Sequence, residues 1–208
     1  AMGCVLHYTL SGGHHVFGVR AVREANILAG KMDVSKLGGD AEARDLIASM
    51  VHHDPDSRPS AAQTHTHPLF WGAERRLQFF ADVSDALEAL KPEHELVAAA
   101  NARGRSVFGK KTWESCLEEA LLQDLGTRRK YDFGRLLDLL RAIRNKKNHY
   151  YDLPQELREL FGTLPHGFLG YWTAKFPTLL IEIYSVVCDK GKIVPPALVQ
   201  YLRPPEVQ

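Results

Sequence analysis

Cysteine is scarce and scattered. Only Cys4, Cys116 and Cys188 occur among 208 residues. An odd number at such separations argues against a disulfide framework and for a reducing, cytosolic compartment. No apolar run approaches the roughly 20 residues that span a bilayer, and no signal peptide is visible at the start. Charge of one sign is missing too: the formal net charge is +1, so any surface for a polyanion must be local. Alternating polar–apolar runs, internal repeats and low-complexity tracts are absent, so the fold is read as all-α.

What remains is an ordinary globular composition, 45% apolar and 25% charged, in a chain long enough for one large domain or two small ones. Ala1-Met2 ahead of Gly3 reads as an added leader, and the chain as a piece of something longer. Residues 3–11 read as an apolar helix buried on most sides, broken at Gly12-Gly13. Helices are expected over 22–28 and 41–53, the latter with Leu46, Ile47, Met50 and Val51 inward. DPDSRPS, residues 54–60, is turn chemistry, with Ser60 able to cap the next segment. Beyond Gly72, helices are expected over 73–90, 93–102, 113–125, 154–161, 168–176 and 177–188. Gly104 and Gly126 are read as stops, and the proline-bearing tail from Lys190 as irregular.

The organising stretch is Tyr131–Tyr150, YDFGRLLDLLRAIRNKKNHY. Leu136, Leu137, Leu140 and Ile143 recur at helical spacing and form an apolar face. Arg141, Arg144, Asn145, Asn148 and His149 form a second stripe. Pro154 ends the helix soon after, which puts His149 near a C-terminus, where the dipole favours a protonated ring. One reading is a solvated basic face on a core helix. The other is a site that binds and cleaves a phosphodiester, with fixed cations, an amide and a titratable imidazole.

Two sets of motifs carry resemblances. GCVLHYTLSGGHHVFG, DPDSRPSA and HPLFW resemble the end of a protein-kinase C-lobe, in which the arginine matching Arg58 pairs with a glutamate of the activation segment. No such segment is here, nor a glycine-rich phosphate loop, a strand lysine, a catalytic-loop aspartate or a metal-binding Asp-Phe-Gly. Residues 1–71 are therefore expected to be a structural remnant with no ATP site and no kinase activity. HPLFW, LQFFADVSDALE, LLDLLRAIRNKKNHYYDLP and GYWTAKFPTLLIEIY together resemble the kinase-extension nuclease domain of the inositol-requiring stress sensor of the endoplasmic reticulum. Ribonuclease L is a more distant relative. Residues 72–208 are assigned to that domain.

The resemblance implies metal-independent cleavage of stem-loop RNA, without a cofactor, by a homodimer acting in unfolded-protein-response signalling at the cytosolic face of the endoplasmic reticulum. The 2′-hydroxyl attacks its own phosphodiester and leaves a 2′,3′-cyclic phosphate and a 5′-hydroxyl. Four matching positions supply the chemistry. His149 and Tyr131 share acid and base, their division left open. Arg144 grips the phosphate through two donors, and Asn145 orients ribose or phosphate. Arg128, Arg129 and Lys130 are candidate cations to help the phenol. Lys146, Lys147, Arg141 and Arg128 are expected to contact RNA, although such lysines are also common as solvated surface. Asp138 is expected to be structural, bridging to a helix or an arginine. Asn148 stands where close relatives often carry a second histidine. Self-association is expected to be weak with most of the kinase absent. The rival reading is an RNA-binding or protein-interaction module without useful turnover.

Other constellations carry less. His52, His53, His65 and His67 straddle a turn without metal-ligand spacing, and no metal is expected. Cys116 reads as a core thiol. Trp71 and Trp172 read as core, while Trp113 is placed either in the core or against an RNA base.

Overall fold

The leucines of residues 136–143 decide where the main core lies, because a helix apolar over most of its circumference must be surrounded. In the computed structural model, which describes residues 1–203 without the side chain of Arg128, they form the centre of a helical assembly, and no strand occurs among the described residues. The all-α expectation holds. The described chain has two compact units, Ala1–Phe70 and Trp71–Leu202.

The first unit contains helices α1 (Met2–Leu10), α2 (Arg20–Leu28), α3 (Ala41–Met50) and α4 (Ala61–Thr66). Asp40 caps α3, its carboxylate accepting from the Ala43 amide at 2.8 Å. Ser60 and Gln63 form a reciprocal capping box on α4. Val16, Phe17, Leu37, Ala43, Ile47 and Val51 make the core. Helix α1 meets α3 so closely that a Cβ on Gly3 would lie 2.8 Å from the Met50 Cβ. The expectation that α1 is buried on most sides is overturned. Met2, Val5, Tyr8 and Leu10 are exposed, since the Gly3 and His7 face alone is buried. Arg58 donates from Nε to the His52 carbonyl at 2.8 Å and closes the turn after α3.

The second unit contains α5 (Ala73–Glu88), α6 (Glu95–Ala102), α7 (Gly104–Phe108), α8 (Glu119–Arg128), α9 (Leu136–Asn148), α10 (Gln155–Phe161), α11 (His166–Lys175), α12 (Leu179–Asp189) and α13 (Pro196–Val199). Helix α9 packs most extensively on α5 and also on α6. Leu136, Leu139, Leu140 and Ile143 have no solvent exposure. Phe161, Phe168, Trp172 and Phe176 form an aromatic core beside Tyr150. There the turn at Gly162 (φ +66°) passes Gly167 so closely that a Cβ on Gly167 would meet the Gly162 carbonyl carbon at 2.8 Å.

Several expected boundaries move, each for a local reason. The central helix starts at Leu136, because the Asp132 carboxylate takes the Gly134 amide at 2.9 Å and the Arg135 amide closes onto the Asp132 carbonyl at 3.0 Å. That turn holds 131–135 out of the helix. Residues 113–116 form a 3-10 turn rather than the start of a long helix. There the Ser115 hydroxyl returns to the Thr112 carbonyl at 2.8 Å, and Leu117 and Glu118 are extended. Gly126 lies inside α8 and does not end it. Gly104 opens α7. The tail is ordered where described: Leu198 and Tyr201 are buried, and the Tyr201 hydroxyl donates to Asp82 at 2.7 Å. Pro204 and Pro205 lie outside the described residues.

Candidate active site

A pocket of about 360 Å³ opens at the C-terminal end of α9. Tyr131, Asn145, Lys146 and His149 line it, together with Arg129, Asp124 and Asp152. At 3.6 residues per turn, Asn145 and His149 project one above the other, and the pocket collects that face of the helix.

Tyr131 is placed by residues that carry no chemistry. The Trp113 amide donates to the Phe133 carbonyl at 3.1 Å, and its indole Nε1–H donates to the Arg135 carbonyl at 3.2 Å. The Trp113 ring, fully buried, meets Phe133 at 4.6 Å and Tyr131 at 6.1 Å, both edge-on. Asp138 accepts from the Asp132 amide at 2.8 Å and pairs with Arg141 at 3.2 Å, so its carboxylate fixes the loop to the first turn of α9. The helix has no side-chain cap of its own, and Asn101 on α6 accepts the Leu137 amide at 3.2 Å instead. The outcome is one contact: Asn145 Nδ2 donates to the Tyr131 phenol oxygen at 2.9 Å.

His149 is the C-terminal cap residue of α9, and its side chain is 60% exposed. Its Nδ1 lies 3.3 Å from Asp152 Oδ2. A carboxylate only accepts, so Nδ1 carries the proton and Nε2 is the nitrogen left for chemistry. Asp152 is held by the 3-10 turn Tyr150–Asp152, its amide donating to the His149 carbonyl at 3.0 Å. The negative end of the α9 dipole points here, so an anion needs cations to approach.

The basic stripe of α9 is not one surface. Asn145, Lys146 and His149 face the pocket, whereas Arg141, Arg144 and Lys147 face α5. Arg144 pairs with Asp85 and, at 2.8 Å, with Glu88. Its guanidinium therefore braces α9 against α5, where two carboxylates stand at i, i+3, and does not line the pocket. Arg141 sits 3.4 Å from Glu88, and Lys147 donates to Gln78 at 3.0 Å. Lys146 is buried and paired with Asp124 on α8, and burial holds its ammonium below the usual lysine range. That geometry makes it a tie between α8 and α9 in the pocket wall rather than a solvated contact for RNA. The Arg128 side chain lies outside the described residues.

Arg129, read from sequence only as help for the phenol, lines the pocket, is more than half exposed and lies 3.6 Å from Glu88. Glu88 thus gathers three arginines, two from α9 and one from the segment that follows α8. Burial by itself raises the Glu88 carboxyl, but Arg141, Arg144 and Arg129 more than offset this and hold it below its ordinary value. Among the described residues, no group of three or more His, Cys, Asp and Glu is disposed to hold a metal ion. No described helix is long and apolar enough to cross a membrane.

A model of the Ribonuclease 2-5A family matches residues 76–194. The chain is 41% identical over 189 residues to the serine/threonine-protein kinase/endoribonuclease IRE1a of Arabidopsis thaliana, covering 90% of this chain and 22% of that protein. Against the sensor for unfolded proteins in the ER ire1 of Schizosaccharomyces pombe, identity is 41% over 195 residues, covering 91% of this chain and 18% of that one. Against the serine/threonine-protein kinase/endoribonuclease IRE2 of Homo sapiens it is 43% over 189 residues, covering 89% and 20%. The chain belongs to the ribonuclease 2-5A family, and the resemblance read from its nuclease motifs is borne out. It spans about a fifth of the length of these curated relatives.

Proposed function

We propose that the pocket at the end of α9 is a metal-independent endoribonuclease site. The observation that carries this is the convergence of Tyr131, Asn145 and His149 on one concavity, with amide and phenol joined at 2.9 Å. Cleavage by internal transesterification needs a group to take the 2′ proton, a group to protonate the leaving 5′ oxygen, and donors for the charged phosphorane.

In this reading Tyr131 takes the proton from the 2′-hydroxyl as O2′ bonds to phosphorus. Tyr131 does this as the phenolate, and the Asn145 amide, donating to its oxygen at 2.9 Å, stabilises the charge that the oxygen carries before the proton arrives. The bond from phosphorus to O5′ breaks as His149, entering the step as the imidazolium with Nδ1–H on Asp152, hands it the Nε2 proton, leaving a 2′,3′-cyclic phosphate and a 5′-hydroxyl. Arg129 is the pocket guanidinium available to the phosphate, in place of Arg144. Arg144 acts through α9, holding Asn145 in position.

The substrate class is stem-loop RNA, whose unpaired loops let the backbone adopt an in-line geometry. The names of the relatives, kinase/endoribonucleases and a sensor for unfolded proteins in the ER, support a role in unfolded-protein signalling at the cytosolic face of that membrane. The active species is a homodimer, weakly formed by this chain. The experiment is incubation with end-labelled stem-loop RNA in excess chelator and analysis of the new ends. Cyclic phosphate termini, lost in His149→Ala while RNA still binds, support the reading. Bound but uncut RNA at every protein concentration overturns it.

A further inference from the structure

Tyr151 has no part in that chemistry, yet its side chain is 80% exposed. Among the described residues of Trp71–Leu202, no other Phe, Tyr or Trp is exposed. A single exposed ring needs no explanation by itself. Three further observations give this one a role.

The first is position. Tyr151 is the middle residue of the turn Tyr150–Asp152 that fixes His149, and two residues of chain cannot separate their Cα atoms by more than about 7 Å. The second is rigidity. Its ring stands edge-on to Tyr150 at 5.3 Å, and Tyr150 is buried, with its hydroxyl donating to the Gly162 carbonyl at 2.7 Å. The third is an open concavity of about 580 Å³ lined by Tyr151, Gln155, Arg158, Glu159 and Thr163, which shares no lining residue with the His149 pocket. Arg158 is exposed and makes no ion pair among the described residues.

We propose that Tyr151 is a stacking platform for the nucleobase flanking the scissile phosphodiester, with the Arg158 guanidinium beside it to meet the adjoining phosphate. The inference rests on the nuclease reading and names a subsite of that same site. In this proposal the strand whose phosphate enters beside His149 continues over the turn Tyr150–Asp152. A flat ring held from below offers its free face to a base, and every base has a π face to return. The platform therefore adds affinity for unpaired RNA with little choice of sequence, and its effect falls on KM rather than on kcat.

The test uses the full chain and a stem-loop RNA with 2-aminopurine placed in the loop, reading binding and cleavage separately. Wild type and Tyr151→Phe are expected to quench the fluorophore alike. Tyr151→Leu keeps apolar bulk without a π face, so it is expected to leave the fluorophore bright, bind about tenfold more weakly and raise KM by that factor at unchanged kcat. Thermal midpoints of the variants verify that each is folded. Equal quenching and affinity in Tyr151→Leu and wild type overturn the platform, even where wild type cleaves normally. Loss of quenching in Tyr151→Phe also overturns it, because the ring is retained. Quenching that depends on the ring, with no cleavage by wild type, sustains the platform and sinks the nuclease reading instead.

Discussion

Asn145 Nδ2 stands 2.9 Å from the phenol oxygen of Tyr131, across 14 residues of sequence and from a helix to a loop. The bond joins a donor to the oxygen that must carry negative charge to take the 2′ proton. If the two act as one unit, their losses overlap. Tyr131→Phe is expected to slow single-turnover cleavage by roughly 10²–10⁴, the range of general acid–base catalysis. Asn145→Ala is expected to slow it by a smaller factor. The double variant should be close to Tyr131→Phe alone, and a fully multiplicative loss would show that the bond does not couple them.

Trp113 positions Tyr131 without touching substrate. Trp113→Phe keeps an aromatic ring in the core but removes the indole donor to the Arg135 carbonyl. The Arg135 carbonyl keeps the Leu139 amide at 3.4 Å, so the loss is that of one hydrogen bond, roughly 0.5–1.5 kcal/mol, to be read as a lower urea midpoint. Under conditions where the variant is fully folded, kcat should still fall, by up to about a hundredfold for a displaced reacting group. Stability lost at wild-type kcat would mean that the loop does not depend on this anchor.

Glu88 ties the stability of the α5–α9 pair to pH. A carboxyl held below its unfolded value stabilises the fold above that value, about 4.3 for glutamate. The contribution fades as pH falls through the folded value. The stability gap between wild type and Glu88→Gln should therefore be open at neutral pH and close below about pH 4.3 in a urea series. A gap that widens in acid has the wrong sign for an ion-paired Glu88.

The dimer is tested by dilution. Activity per monomer should rise steeply with protein concentration and level off once the dimer is formed, in step with its mass measured by light scattering. Flat activity over the range in which mass changes would show that one copy suffices.

Much of this was legible in the sequence, and what was hidden lay in contacts between distant segments. Periodicity marked the leucine face of α9 and the amphipathic α5, because burial of a helix face repeats at 3.6 residues wherever the partner comes from. It placed Asn145 and His149 together for the same reason. It could not divide Arg144 from Asn145, since which of two adjacent stripes meets carboxylates depends on Asp85 and Glu88, more than fifty residues earlier. Lys146 looked like a solvated cation until Asp124 was seen beside it. Trp113 and Asn101 carry no motif, and their roles appear only when the 131–135 loop is folded against them. Apolar composition suggested a buried α1, but it cannot say how many sides of a helix find a partner.

The division of labour between His149 and Tyr131 is the centre of the account, and a sulfur atom tests it most directly. An RNA with sulfur in place of the 5′ bridging oxygen at the cleavage site has a leaving group that needs no protonation. In excess chelator, wild type is expected to cut both this RNA and its oxygen counterpart, and His149→Ala to cut only the sulfur substrate, at a rate near wild type. Tyr131→Phe should be slow on both. Failure of sulfur to rescue His149→Ala, or rescue of Tyr131→Phe instead, would contradict the assignment of the leaving-group proton to His149.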